Sequence, residues 1–194
     1  MEIAFIRETD SKRMRVGVKN GEDVVRYSLS PVTVASLSLE RGREIDEAML
    51  ELIVREDAEH RAMRRALSLL SYGDNTKKAL FIKLLRSGFE REIAEECVAE
   101  CMRLGYIDER RQIENAVLNE ANRALRGKAY IVKKLMSKGY SRADVESVVE
   151  DLLDRGEIDF SASFERLCEK KGATGREERR ALLYKNGFAS SDFD

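Results

Sequence analysis

Leu84-Leu85-Arg86-Ser87-Gly88-Phe89 returns, 51 residues further along, as Leu135-Met136-Ser137-Lys138-Gly139-Tyr140. Gly105-Tyr106-Ile107-Asp108 returns at the same spacing as Gly156-Glu157-Ile158-Asp159. Apolar positions keep the register: Leu80 with Ile131, Phe81 with Val132, Cys97 with Val148, Cys101 with Leu152, Met102 with Leu153. A third copy ends in Leu183-Tyr184-Lys185-Asn186-Gly187-Phe188, 48 residues after the second. Upstream, Ala62, Ile113 and Phe164 are equivalent, as are Ala66, Val117 and Cys168. The pattern predicts a three-helix unit: 58–71, 76–87 and 90–104, then 109–123, 128–138 and 142–155, then 160–171 and 176–186. Register glycines such as Gly139 follow an apolar helix, where a left-handed C-terminal cap requires no Cβ; Gly127 only opens a helix. Tandem units of this kind bury one another's apolar faces in a curved helical array.

Working outward from the repeats, residues 2–29 read as β structure. Met14, Val16 and Val18 alternate with polar residues, and so do Val25, Tyr27 and Leu29. Asn20-Gly21 between them predicts a tight hairpin turn, and Ile3-Ala4-Phe5-Ile6 a third strand. Ser30 is placed to cap a short helix with Pro31 in its first turn, and Asp46 to cap a helix beginning at Glu47. The fold class is therefore mainly α, tandem three-helix repeats behind a small N-terminal β leader. Its expected segments are 1–45, the leader; 46–105, a linker helix and repeat 1; 106–156, repeat 2; and 157–194, repeat 3, short of its last helix.

Composition narrows the chemistry. Of 194 residues, 37% are charged and 7% aromatic, with one proline and no tryptophan, a helical profile with enough apolar material for a core. Three cysteines are too few for a secreted disulfide framework, and neither a signal peptide nor an apolar membrane span is present, which places the protein in the cytoplasm. His60 is the only histidine, and no phosphate-cradling glycine loop occurs, so an enzyme is not expected. His60, among Glu59, Arg61, Arg64 and Arg65, reads as a solvated helix surface. Cys97 and Cys101 share a helix face, but their equivalents Val148 and Leu152 mark them, with Cys168, as buried small hydrophobes. The cluster Glu92, Glu95, Glu96 and Glu100 reads as a solvated face. No metal and no cofactor is implied.

Charge distribution is the best functional signal. Residues 123–143 carry Arg123, Arg126, Lys128, Lys133, Lys134, Lys138 and Arg142 and no acid, and 75–89 carry Lys77, Lys78, Lys83 and Arg86 and no acid. The helix after the former is acidic: Asp144, Glu146, Glu150, Asp151 and Asp154. One reading is a helix-to-helix charge match that aids packing and solubility. The other is a basic stripe facing phosphates or an acidic protein groove, with Lys77, Lys78, Arg86, Arg126, Lys128, Lys133, Lys134 and Lys138 as its contacts. Ile131, Val132, Leu135 and Met136 are the apolar positions of the most basic helix, and Lys134 and Lys138 share another of its faces.

Three motifs carry a resemblance: Leu-Leu-x-x-Gly-Phe at 84–89, Leu-Gly-Tyr-Ile-Asp at 104–108, and Gly-Lys-x-x-Ile-x-x-Lys-Leu-x-x-Lys-Gly-Tyr at 127–140. With Leu37, Leu39, Gly42, Ile45 and Asp46 in the leader, the chain resembles the regulatory protein RecX family along nearly its whole length. The resemblance implies a non-enzymatic modulator of the RecA recombinase. Such a protein is a curved array of three-helix repeats lying in the groove of the RecA filament on single-stranded DNA, restraining its ATPase, strand-exchange and co-protease activities. The implied partner is that filament, with single-stranded DNA touched indirectly or weakly, no membrane, and the protein monomeric. Direct nucleic-acid binding through the basic helices, or a scaffold for an unrelated protein, are the competing readings.

Overall fold

The structure, a computed structural model, describes residues 1–190 and divides them into two compact units. The first holds 1–73 and 80–103; the second holds 74–79 and the chain from 104 onward.

The first unit opens with the antiparallel meander β1 (Glu2–Glu8), β2 (Met14–Asn20) and β3 (Asp23–Leu29). The hairpin loop between β2 and β3 is Gly21-Glu22, not Asn20-Gly21: Asn20 pairs with Asp23, and Gly21 takes the positive φ of 63°. Positive φ at the first loop position follows the strand twist and favours glycine there. Val16, Val18 and Leu29 are buried with Ile3, whereas Val25, expected on that face, is exposed. Gly17 lets the Phe5 ring lie across β2, since an added Cβ would sit 2.7 Å from ring carbons Cδ1 and Cζ. Ser30 caps α1 (Pro31–Ser36) by accepting from the Thr33 amide, and Asp46 caps α2 (Glu47–Ser71) by accepting from the Met49 amide. The predicted linker helix and first repeat helix are thus one uninterrupted helix.

Asp57 of α2 is buried, and it ties the β leader to this helix. Its carboxylate accepts from the Ser30 amide at 2.5 Å, from Arg61 at 2.8 Å and from Arg13 at 3.2 Å. Asp57→Ala is expected to lower stability by about 2–4 kcal/mol, because a buried amide and two guanidinium groups lose their acceptor together. Chemical denaturation checks this, and Asp57→Asn should lose less. His60 is half-buried, not solvated: its Nδ1 lies 3.0 Å from Oγ1 of buried Thr33.

The repeat helices follow as α3 (Lys77–Arg86), α4 (Arg91–Arg103), α5 (Glu109–Leu118), α6 (Lys128–Ser137), α7 (Arg142–Asp154), α8 (Phe160–Lys171) and α9 (Arg176–Asn186). A π-turn at Asn119–Arg123 extends α5, so the predicted helix 109–123 is not regular throughout. The repeated Leu…Gly-aromatic string is a helix stop in all three copies. The amides of Phe89, Tyr140 and Phe188 donate to the carbonyls of Leu84, Leu135 and Leu183 at 3.3, 3.3 and 3.0 Å. This is the six-to-one bond of a glycine-capped C-terminus. Asp108, Ser141 and Asp159 cap the starts of α5, α7 and α8.

In the second unit one core joins α5 through α9: Ile113, Val117, Ile131, Leu135, Val149, Leu152, Phe164 and their neighbours. Phe188 meets Phe160 and Phe164 edge-on, at centroid separations of 6.4 and 5.3 Å. Gly127 does more than open α6. Its amide donates to Asn186 O at 2.9 Å and the Ala129 amide to Gly187 O at 3.1 Å, so the end of α9 is seated on the start of α6. Three register positions expected to be apolar core, Met102, Met136 and Leu153, are exposed. The expected end of the third repeat without a last helix falls largely on 191–194, outside the described residues.

Candidate partner-binding surface

The eight candidate cations fall into two groups, divided by whether the fold already engages their charged ends. Lys77 places Nζ 3.3 Å from Glu109, which also accepts from the Lys77 amide at 2.8 Å. Lys128 faces Glu150 at 3.6 Å. Lys134 donates to Glu120 at 2.7 Å, and Glu120 is only 8% exposed. The Arg126 guanidinium stacks 4.6 Å from the Tyr130 ring centroid and donates to Asn186 Oδ1. These four already have contacts within the fold, Lys128 only a loose one, whereas the sequence reading offers all eight alike to a partner. Lys77 joins α3 to α5, Lys128 and Lys134 join α6 to α7 and to the extension of α5, and Arg126 joins the approach to α6 to the end of α9.

Lys78, Arg86, Lys133 and Lys138 are exposed and carry no ion pair within the described residues. Arg123, which the candidate set omitted, is likewise exposed and unpaired, and its place in the acid-free stretch was the signal. In the second unit the start of α3 lies beside the turn that ends α6: Lys78 side-chain carbons sit 3.8 and 3.9 Å from where a Cβ on Gly139 would stand. The fold therefore brings Lys78 next to Lys138, though 60 residues of sequence separate them. Arg86 belongs to the first unit.

Some of the amides that open both basic helices are already used. Glu109 takes the Lys77 amide of α3, and the carbonyls of Asn186 and Gly187 take those of Gly127 and Ala129 at α6. A helix start is a phosphate cradle only while its amides are free.

Among the described residues no three His, Cys, Asp or Glu side chains cluster as a metal site, and no helix is long and apolar enough to cross a membrane. Cys97, Cys101 and Cys168 are buried free thiols. Burial, helped by the neighbouring Cys101 sulfur, pushes the Cys97 thiol up to about 12 from an ordinary 9.0. At pH 8 its thiolate fraction is about one in ten thousand, so thiol reagents should label it only after unfolding. Because the folded value lies above the unfolded one, its stabilising contribution is complete below pH 9 and is lost as pH rises toward 12. Cys97→Ser should shift the alkaline limb of a melting-temperature profile, and native labelling as fast as denatured labelling would refute the buried thiol.

A family model described as RecX, first three-helix domain, matches residues 62–101, the second half of α2 together with α3 and α4. The regulatory protein RecX of Leuconostoc mesenteroides is 25% identical over 160 residues, covering 82% of this chain and 59% of that protein. That of Clostridioides difficile is 26% identical over 154 residues, covering 78% and 69%. Residues 62–101 match the first RecX repeat, and the chain is similar to RecX proteins over most of its length. A crystal structure of regulatory protein RecX matches 99% of this chain and 96% of its own, with TM-score 0.74 and 20% identity. RecX from Lactobacillus salivarius matches 71% and 92%, with TM-score 0.59 and 20% identity. Both share the fold of tandem three-helix units. The RecX of Oceanobacillus iheyensis is 21% identical and is covered over 48% of its length, so the chain spans about half to two-thirds of the curated RecX proteins it matches. Those relatives are named regulatory proteins.

Proposed function

We propose that the chain is a non-catalytic, cytoplasmic, monomeric regulator that binds the RecA recombinase filament on single-stranded DNA and restrains its ATPase, recombination and co-protease activities. The observation that carries this reading is the set of unpaired cations on the repeat helices, Lys78, Lys133 and Lys138 with Arg123, left over after Lys77, Lys128 and Lys134 are paired. Unpaired surface lysines contribute little to a fold and are available to steer an anionic partner. The partly occupied helix starts favour a protein surface over bare phosphate as that partner, since the amides of Lys77, Gly127 and Ala129 already have acceptors. Segment boundaries at 45, 105 and 156 belong to the same reading, each repeat offering its middle helix.

Co-sedimentation separates this from direct nucleic-acid binding. The protein should pellet with RecA filaments on single-stranded DNA at salt where it leaves bare single-stranded DNA in the supernatant. Equal affinity for both would favour the nucleic-acid reading, and affinity for neither would leave only an unrelated protein partner.

A further inference from the structure

Met136 and Leu153 are the two register positions of the second repeat that the core leaves outside, at 45% and 38% exposure. They are not scattered. Together with Val132 they line one groove of about 660 Å³ between α6, α7, the start of α8 and the 187–189 turn. The same groove is lined by Lys128, Lys133 and Arg142. Its one carboxylate, Glu146, is taken by Arg142 at 2.8 Å. Lys133 has no acid, and the Lys128–Glu150 contact is a loose exposed pair at 3.6 Å, which a competing carboxylate replaces at little cost. At the 51-residue register Ile82 stands where Lys133 does, so this unpaired cation beside apolar side chains is a property of the second repeat and not of the repeat pattern.

We propose that this groove docks an acidic protein segment in which a large apolar side chain is flanked by carboxylates. Met136 and Leu153 would receive the apolar side chain, a flexible thioether beside a branched one, and the three cations would pair with the flanking acids. A sugar-phosphate strand satisfies the cations and leaves the apolar surface wet; a plain apolar helix does the reverse. Only a segment carrying both features uses the whole lining. The inference rests on the groove alone. It would supply the protein-side contact of the regulatory reading above, but it stands if the partner is another protein.

Fluorescence anisotropy with a labelled peptide Gly-Ser-Asp-Glu-Phe-Leu-Asp-Glu-Ser-Gly tests it on the full chain. Saturable binding is expected. Lys133→Glu, and separately the pair Met136→Gln and Leu153→Gln, should each weaken it on the order of tenfold with melting temperature unchanged, since all three side chains are exposed. The peptide with serine in place of its phenylalanine and leucine should bind correspondingly less. No saturable binding, or equal affinity for both peptides, overturns the proposal. So does binding that survives the glutamine pair and is displaced by an oligothymidylate, which makes the face a phosphate site. Tighter binding to a Phe193→Ser variant would give the groove to the chain's own Asp192-Phe193-Asp194 and overturn an external partner. Running the same variants through filament co-sedimentation keeps the two readings apart: peptide binding without filament binding removes the recombinase and leaves the groove.

Discussion

Gly127→Ala is expected to destabilise the second unit by about 3 kcal/mol, more than alanine at the positive-φ Gly139. The backbone of Gly127 is ordinary, at φ −83° and ψ 167°, so the penalty is not conformational. It is steric. An added Cβ would overlap the carbonyl carbon and oxygen of Gly187 and the amide nitrogen of Phe188, backbone atoms that cannot rotate away. Relief requires α9 to lift off α6, which breaks the hydrogen bonds from Gly127 and Ala129 and withdraws Phe188 from Phe160 and Phe164. Gly139 has φ 102° and meets only side chains, the closest atom being Thr76 Oγ1 at 3.2 Å, which can give way, so Gly139→Ala should cost about 1–2 kcal/mol, chiefly the left-handed penalty. Thermal and urea unfolding of the two variants decide the order. A Gly127→Ala protein that melts with the parent would show that the two chain segments do not touch.

Changing Lys78, Lys133 and Lys138 together to glutamate should weaken filament binding by about tenfold to a hundredfold while leaving helicity and melting temperature close to the parent. None of the three makes an ion pair among the described residues, so reversal removes nothing from the fold. Against an anionic surface each reversal turns attraction into repulsion, worth about 0.5–1 kcal/mol at exposed distances, and the loss should shrink as salt rises. Lys134, which resembles Lys133 in sequence, does not belong in this variant. Lys134→Glu would set a second carboxylate against nearly buried Glu120 and destabilise the α5–α6 pairing, a folding effect that would imitate a binding effect. Reversing the acids Glu146, Glu150 and Asp154 to lysine is the matched control and should leave binding intact or strengthen it. Inhibition of recombinase ATPase by the lysine-reversed protein, undiminished at low salt, would reduce the basic helices to a solvated face.

The two experiments probe different kinds of information. The repeats, the helix starts at Asp46 and Ser30, and the glycine-aromatic stops are legible in the sequence because a cap is a contact between residues three to six apart. Burial of Cys97 and Cys101 is legible too, since tandem copies place them where valine and leucine stand, and a repeat reports its own core positions. The hairpin loop slipped by one residue because Asn20 and Gly21 both suit positive φ, and only cross-strand pairing picks between them. What the sequence could not determine is which cations remain free. Lys133 and Lys134 are neighbours of identical type, and their difference lies in Glu120, which the π-turn after α5 sets against one of them and not the other. His60 took a partner 27 residues away in Thr33, and Gly127 took its neighbour 60 residues away in Gly187. Local hydrogen bonding and periodicity belong to the chain by itself; charge neutralisation and close backbone approach belong to pairs of segments, and exist only once tertiary packing has brought those segments together.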